Sequence, residues 1–100
     1  MEVNMDIRVQ SIKFDADQKL LEFIDKKLSK LSKFYEDIIN VEVALTLEPD
    51  HKKNAKVRVA IPGNDLIIDR TADSFEDAIV DCADALKDML VKAKEKRYGI

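Results

Sequence analysis

The segment DKKLSKLSKF, residues 25–34, places Lys26, Lys27, Lys30 and Lys33 along one apolar stretch of a chain whose formal net charge is −3. Ammonium groups set on one side of a rigid element can hold the phosphates of a nucleic acid. A second basic run closes the chain, where Lys87, Lys92, Lys94, Lys96 and Arg97 meet only Asp88 and Glu95. Just upstream, Glu76, Asp77, Asp81 and Asp84 stand without a basic residue among them. The remaining candidates for chemistry are isolated. His51 is the only histidine, beside Lys52 and Lys53, and has no second histidine with which to share a metal. Cys82 is the only cysteine and falls on an apolar stripe, where a thiol is a small hydrophobe rather than a nucleophile. The carboxylates form no motif, and there is no glycine-rich phosphate loop. The expectation is a binding protein, with no enzymatic activity, cofactor or metal.

These side chains need elements to position them. One hundred residues, 46% hydrophobic and 37% charged with only two glycines and two prolines, suit one folded domain over residues 1–100 rather than a disordered chain. With a single cysteine no internal disulfide can form, so a reducing cytoplasm is the default compartment. The N-terminal MEVNMDIRVQSIKF has acidic residues and no continuous apolar run, unlike a signal peptide or membrane anchor. Met5, Ile7 and Val9 alternate with polar residues, which predicts a half-buried strand. Asp15 followed by Gln18 resembles a capping box. Leu20, Phe23, Ile24, Leu28, Leu31 and Tyr35 then recur at helical spacing, predicting a helix over about 17–36.

Val41, Val43, Leu45 and Leu47 switch to a period of two, as do Ala55, Val57, Val59 and Ile61 opposite Lys56 and Arg58. PDHKKN and PGND are the turns, and LIIDRTA is a last, shorter strand whose inward face the pattern leaves open. Ser74 predicts the cap of a final helix with the stripe Phe75, Ile79, Cys82, Leu86, Met89, Leu90 and Ala93, stopping near Gly99. The order β-α-β-β-β-α gives an α+β fold, with a four-stranded mixed sheet and both helices on one face. Its first strand should pair in parallel through a right-handed crossover.

On the first helix Lys19, Lys26, Lys30 and Lys33 fall within a sector of roughly 60° at ~100° per residue, and Lys27 lies nearer the apolar border. A solvated face supported by a Glu22–Lys26 pair explains this equally well. Acid at the start and base at the end of the last helix also suit its dipole. The positive groups after Asp84 nevertheless exceed what a last turn needs. Charge therefore favours one RNA-facing basic surface on an acidic body, the solvated face remaining the alternative. Phe14, Phe23, Phe34, Tyr35 and Phe75 fit core positions, which leaves Tyr98 as the aromatic with a claim to base stacking.

With this order, the chain resembles the ribosome hibernation-promoting factor family, which includes the ribosome-associated inhibitor, over about residues 5–97. EFIDKKLSKL followed by Phe34-Tyr35 is similar to the family's first helix, Lys27 and Lys30 matching its recurrent basic positions. FEDAI, then Asp84, Leu86, Leu90 and the closing Lys92, Lys94 and Lys96, is similar to its second. Where relatives often carry Arg-Gln before the leucine matching Leu90, this chain has Asp88-Met89, with Lys87 adjacent. The resemblance implies a translation inhibitor that occupies the messenger and transfer RNA channel of the small ribosomal subunit. It implies contact with 16S ribosomal RNA and idling of ribosomes in stationary phase or stress. Lys26, Lys27, Lys30, Lys33, Lys87, Lys92, Lys94, Lys96 and Arg97 are the expected RNA contacts.

The alternatives are a double-stranded RNA-binding module, which would want base rather than DSFED at the start of its second helix, and a protein-interaction module with no RNA role. Longer relatives add a linker and a pairing domain, whereas this chain ends at Ile100. Lys56, Arg58 and a short final strand offer no dimer surface. The expectation is a monomer that does not by itself join ribosomes.

Overall fold

The alternating apolar runs become a sheet because each has one face to hide, and the helical stripes supply the cover. The computed structural model describes residues 6–97. Met5, Tyr98 and Gly99 lie outside the described residues, as does the side chain of Arg97. In chain order the elements are β1 (Asp6–Ile12), α1 (Gln18–Ser29), a 3₁₀ turn (Lys30–Lys33), β2 (Asn40–Leu47), β3 (Lys53–Ile61), β4 (Asn64–Ala72) and α2 (Phe75–Arg97). The sheet runs β1-β2-β3-β4. β1 lies parallel to β2, with Val9 opposite Val43, while β2–β3 and β3–β4 are antiparallel, with Val43 opposite Val57 and Val57 opposite Ile68. This is the expected mixed α+β architecture.

The sheet's covered face supplies Val41, Val43, Leu45, Ala55, Val57, Val59, Ile61 and Leu66 to one buried cluster. Onto it α1 and its 3₁₀ extension press Leu20, Ile24, Leu28 and Leu31, and α2 presses Phe75, Ala78, Ile79, Cys82, Leu86 and Leu90. The two helices also pack directly on one another. No polar or charged residue is buried among the described residues. At about 1.5–3 kcal/mol for each large side chain taken from water, this shared cluster holds both helices to the sheet.

Three boundaries differ from the sequence pattern, each for a local reason. The cap of α1 is Asp17, not Asp15, its carboxylate accepting the Leu20 N–H at 2.8 Å. Phe14 stacks on Phe75 at 4.5 Å between ring centres, which ties the segment before Asp17 to the start of α2. Gln18 donates to Glu22 instead of closing a box. Secondly, α1 tightens after Ser29. The Ser29 hydroxyl donates to the Lys26 carbonyl at 3.3 Å and the Ser32 hydroxyl to that of Ser29 at 3.0 Å. Such back-bonds compete with the helical ladder, and the chain continues in 3₁₀ geometry. Thirdly, β4 spans nine residues rather than being short, and it turns Leu66, Ile68 and Ala72 toward the core. Because β1 and β4 are the edges, Lys56 and Arg58 guard no edge: they stand on the open face of an inner strand.

Among the described residues three take the left-handed region, Lys13 after β1 at φ 70° and one residue in each of two turns. Pro62-Gly63 links β3 to β4 with Gly63 at φ 78°, the combination a type II turn requires. His51 adopts φ 68°, and its N–H donates to the Glu48 carbonyl at 3.0 Å. Its surroundings are those of a turn residue, and no group of metal-ligating side chains occurs among the described residues. The α2 cap is Ser74 as expected, its hydroxyl accepting the Asp77 N–H at 3.1 Å. Substituting either real cap by alanine is expected to cost ~1 kcal/mol, while Asp15→Ala costs little. Urea unfolding of the three variants checks this assignment.

Cys82 sits fully buried in the core and donates from Sγ to the Ala55 carbonyl at 3.5 Å. Burial pushes its thiol up to about 11 from an ordinary 9.0. An acid whose pKa rises on folding keeps its proton longer in the folded state. Stability is therefore expected to fall between about pH 9 and pH 11, as the unfolded thiol ionises first. Subtracting the pH profile of Cys82→Ala from that of the parent isolates this slope. Thiol labelling of the folded protein at neutral pH should be correspondingly slow.

Candidate nucleic-acid interface

Both helices owe their lysines' positions to the apolar stripes that anchor them. On α1 the buried Leu20, Ile24 and Leu28 leave Lys26 and Lys30 exposed, and Lys27 half-buried at the border. The 3₁₀ turn then matters, because residues three apart in that geometry eclipse one another. Lys33 consequently stands over Lys30, and the exposed pair continues the row. Lys27 is braced by Phe23, its ammonium 5.6 Å from the ring centre.

The lysines of α2 divide between two flanks. Lys87 leans across to the first helical unit, its ammonium 5.2 Å from the centre of the Phe34 ring. At ~100° per residue Lys94 lies within about 20° of Lys87 and shares that flank. Lys92 and Lys96 lie on the other flank, where with Asn64 and Leu66 they border the β4 side of the helix. Between the flanks runs an exposed acidic stripe of Asp77, Asp81, Asp84, Asp88 and Glu95. The predicted residues thus form two groups. Lys87, which reaches Phe34, and Lys94 lie on the flank of α2 toward the first helical unit. The exposed Lys26, Lys30 and Lys33 and half-buried Lys27 of that unit make up the rest of that group, while Lys92 and Lys96 face β4.

Phe23 and Phe34 were expected only as core. Both are half-buried, and each offers a ring face to a lysine. The Phe23–Lys27 spacing of four on a helix is a signal that sequence carries. The Phe34–Lys87 contact depends on helix packing.

Electrostatics separate these lysines from the rest of the molecule. Among the described residues the ion pairs are Arg8–Asp6, Lys52–Asp73, Arg58–Glu42 and Arg58–Asp65, all on the sheet or at its ends. The helical lysines Lys26, Lys27, Lys30, Lys33, Lys87, Lys92, Lys94 and Lys96 enter none of these pairs; the Glu22–Lys26 pair expected on a solvated face is absent among the described residues. Asp73 is held below the usual carboxylate range by its hydrogen bond from Lys52, so that charge pair is occupied in holding the β2–β3 turn to the α2 cap. A row of cations without carboxylate partners on a rigid two-helix face is an arrangement suited to phosphates. The start of α2, by contrast, exposes Glu76 and Asp77 where a double-stranded RNA-binding module would need base.

The profile of the sigma 54 modulation protein / S30EA ribosomal protein family matches residues 7–98. The chain belongs to this family. S30EA relatives of similar sequence include proteins named ribosome hibernation promoting factor. One from Azotobacter vinelandii is 25% identical over 93 residues, covering 93% of this chain and 86% of the relative. One from Pseudomonas putida is 25% identical over 96 residues, covering 96% and 93%. The S30EA fold is shared with two solved structures. The ribosomal subunit interface protein of Coxiella burnetii superposes with a TM-score of 0.83 at 22% identity, over 90% of this chain and 98% of that one. The N-terminal domain of Thermus thermophilus Protein Y gives 0.79 at 19% identity, over 90% and 98%. Among the described residues of this S30EA chain no helix is long and apolar enough to cross a membrane.

Proposed function

We propose that this protein binds the ribosome and silences translation, as the names of its hibernation-factor relatives suggest. The finer reading is a monomer that occupies the messenger and transfer RNA channel of the small subunit. It contacts 16S ribosomal RNA there and idles cytoplasmic ribosomes in stationary phase or stress. The observation that carries the reading is the exposed row Lys26, Lys30 and Lys33, with Lys27 at its border and Lys87 and Lys94 on the flank of α2 that reaches Phe34. These cations have no carboxylate partner among the described residues and project from two helices that pack on one another. The helix backbones fix where these lysines start, and the acidic remainder of the surface repels indiscriminate RNA binding.

Inhibition by occupancy is stoichiometric. Purified protein added to a translation extract should reach full inhibition near one copy per ribosome and co-sediment with the small subunit at moderate salt. It should need no added nucleotide, metal or thiol. His51→Ala and Cys82→Ala should inhibit like the parent, because one shapes a turn and the other fills the core. Inhibition at small substoichiometric amounts would point to catalysis and overturn the reading. In sucrose gradients the protein alone should leave ribosomes unpaired, and a strong ribosome-dimer peak would remove the monomeric part of the proposal.

A further inference from the structure

The Lys92 and Lys96 pair is set apart from the inter-helix row by the acidic stripe of α2, yet it too has no carboxylate partner among the described residues. It borders two adjoining depressions between the last turns of α2 and the β3–β4 turn. One, of about 350 Å³, is lined by Ile61, Pro62, Asn64, Ala93 and Lys96 together with Tyr35. The other, of about 230 Å³, is lined by Asn64, Leu66, Met89, Lys92, Ala93 and Lys96. Asn64, Ala93 and Lys96 belong to both, so the two are one continuous feature.

We propose that this feature seats a single unstacked nucleotide of an RNA strand, with its base against Met89 and Ala93 and its phosphate held by Lys92 and Lys96. This rests on the RNA-binding reading above and gives these two lysines a different task from those of the inter-helix row. Size is the first argument. The two joined depressions lie in the range of small ligand sites, from ~300 Å³ upward, which is room for a nucleotide. Chemistry is the second. The lining is apolar side chains plus two ammonium groups, complementing the face of a base and its phosphate, and Asn64 adds an amide that can both donate and accept at a base edge. The third is the acidic stripe. A continuous duplex backbone crossing from one lysine flank to the other would pass over Asp84, Asp88 and Glu95. A strand that splays one nucleotide around the foot of α2 approaches from the β4 side instead.

The test is a titration of the ¹⁵N-labelled full chain, followed residue by residue, with adenosine 5′-monophosphate and with inorganic phosphate. The nucleotide should move Asn64, Met89 and Ala93 as well as Lys92 and Lys96, whereas phosphate moves the lysines alone. A six-nucleotide single strand should bind more tightly than a duplex of the same length. Asn64→Ala, an exposed substitution that leaves the core intact, should weaken the single strand about fivefold, and Lys92→Ala/Lys96→Ala more. Identical shifts from phosphate and nucleotide, equal affinity for duplex, or the same shifts from an acidic peptide would overturn the proposal. Co-sedimentation of the parent with ribosomes is measured alongside. If it persists while the nucleotide leaves Asn64 and Met89 unmoved, only this seat fails. If the parent does not sediment with ribosomes, the functional reading itself fails.

Discussion

The Lys27→Glu/Lys30→Glu double variant is expected to bind the small ribosomal subunit at least tenfold more weakly than the parent, with a flatter dependence on salt. Each phosphate neutralised by a lysine releases counterions, and removing one such lysine takes about one unit off the slope of log affinity against log salt. Removing two should thus lower the slope by about two, so that the parent's advantage narrows by roughly tenfold over a fourfold rise in salt. Reversal also introduces two carboxylates opposite the phosphates, which weakens binding further at low salt. Lys30 is exposed, and Lys27 rests only its stem and ammonium on Phe23, so the fold should survive. A thermal melt within a few degrees of the parent would establish that. Equal binding by variant and parent across the salt series would show that this row is a solvated face. The matching reversal at Lys87 should act in the same direction, because its ammonium meets the first helical unit over Phe34.

The largest effect on stability is expected from Leu86→Ala. Leu86 is fully buried in the cluster that joins α2 to the sheet, among side chains contributed by strands and both helices. Removing its isobutyl group loses transfer free energy and leaves a cavity, together costing about 3 kcal/mol. For a domain of this size that corresponds to a Tm lower by roughly 10–20 °C. Leu86 presents nothing to solvent, so ribosome affinity measured well below the new Tm should match the parent. Loss of affinity at a temperature where the variant is folded would mean that the register of the two helices, and not only their lysines, sets the interface.

Much of this molecule was legible in the order of its residues, because burial imposes a period. The alternations at Val41–Leu45 and Ala55–Ile61 return as β2 and β3 with those residues inward, Leu47 ends β2 half-buried outside the cluster, and both helical stripes return in or against the core. What the period could not resolve were places where two local options compete. Asp15 and Asp17 are both competent caps, and the Phe14–Phe75 stack accompanies the use of the second. Ser29 and Ser32 are ordinary helix residues by sequence, and only the structure shows their hydroxyls bonding back where α1 passes into 3₁₀ geometry. In LIIDRTA three consecutive apolar residues fit either face, and pairing of Ile68 opposite the buried Val57 selects the inward set.

The basic residues themselves, their types and their rows along each helix, were determined by sequence alone, since the apolar stripe fixes which lysines point away from it. Which rows meet was a tertiary matter. Rotation about a helix axis is a local property, but the neighbour that a flank faces depends on where the sheet holds that helix. Sequence therefore joined Lys87, Lys92, Lys94 and Lys96 into one run, while packing sent Lys87 toward Phe34 and set Lys92 and Lys96 beside Asn64 and β4. The same folding set Arg58 of β3 beside Glu42 of β2 and Asp65 of β4, while the helical lysines enter no ion pair among the described residues. The Arg58 pairs need groups a few ångströms apart on neighbouring strands, and that proximity exists only once the strands are registered.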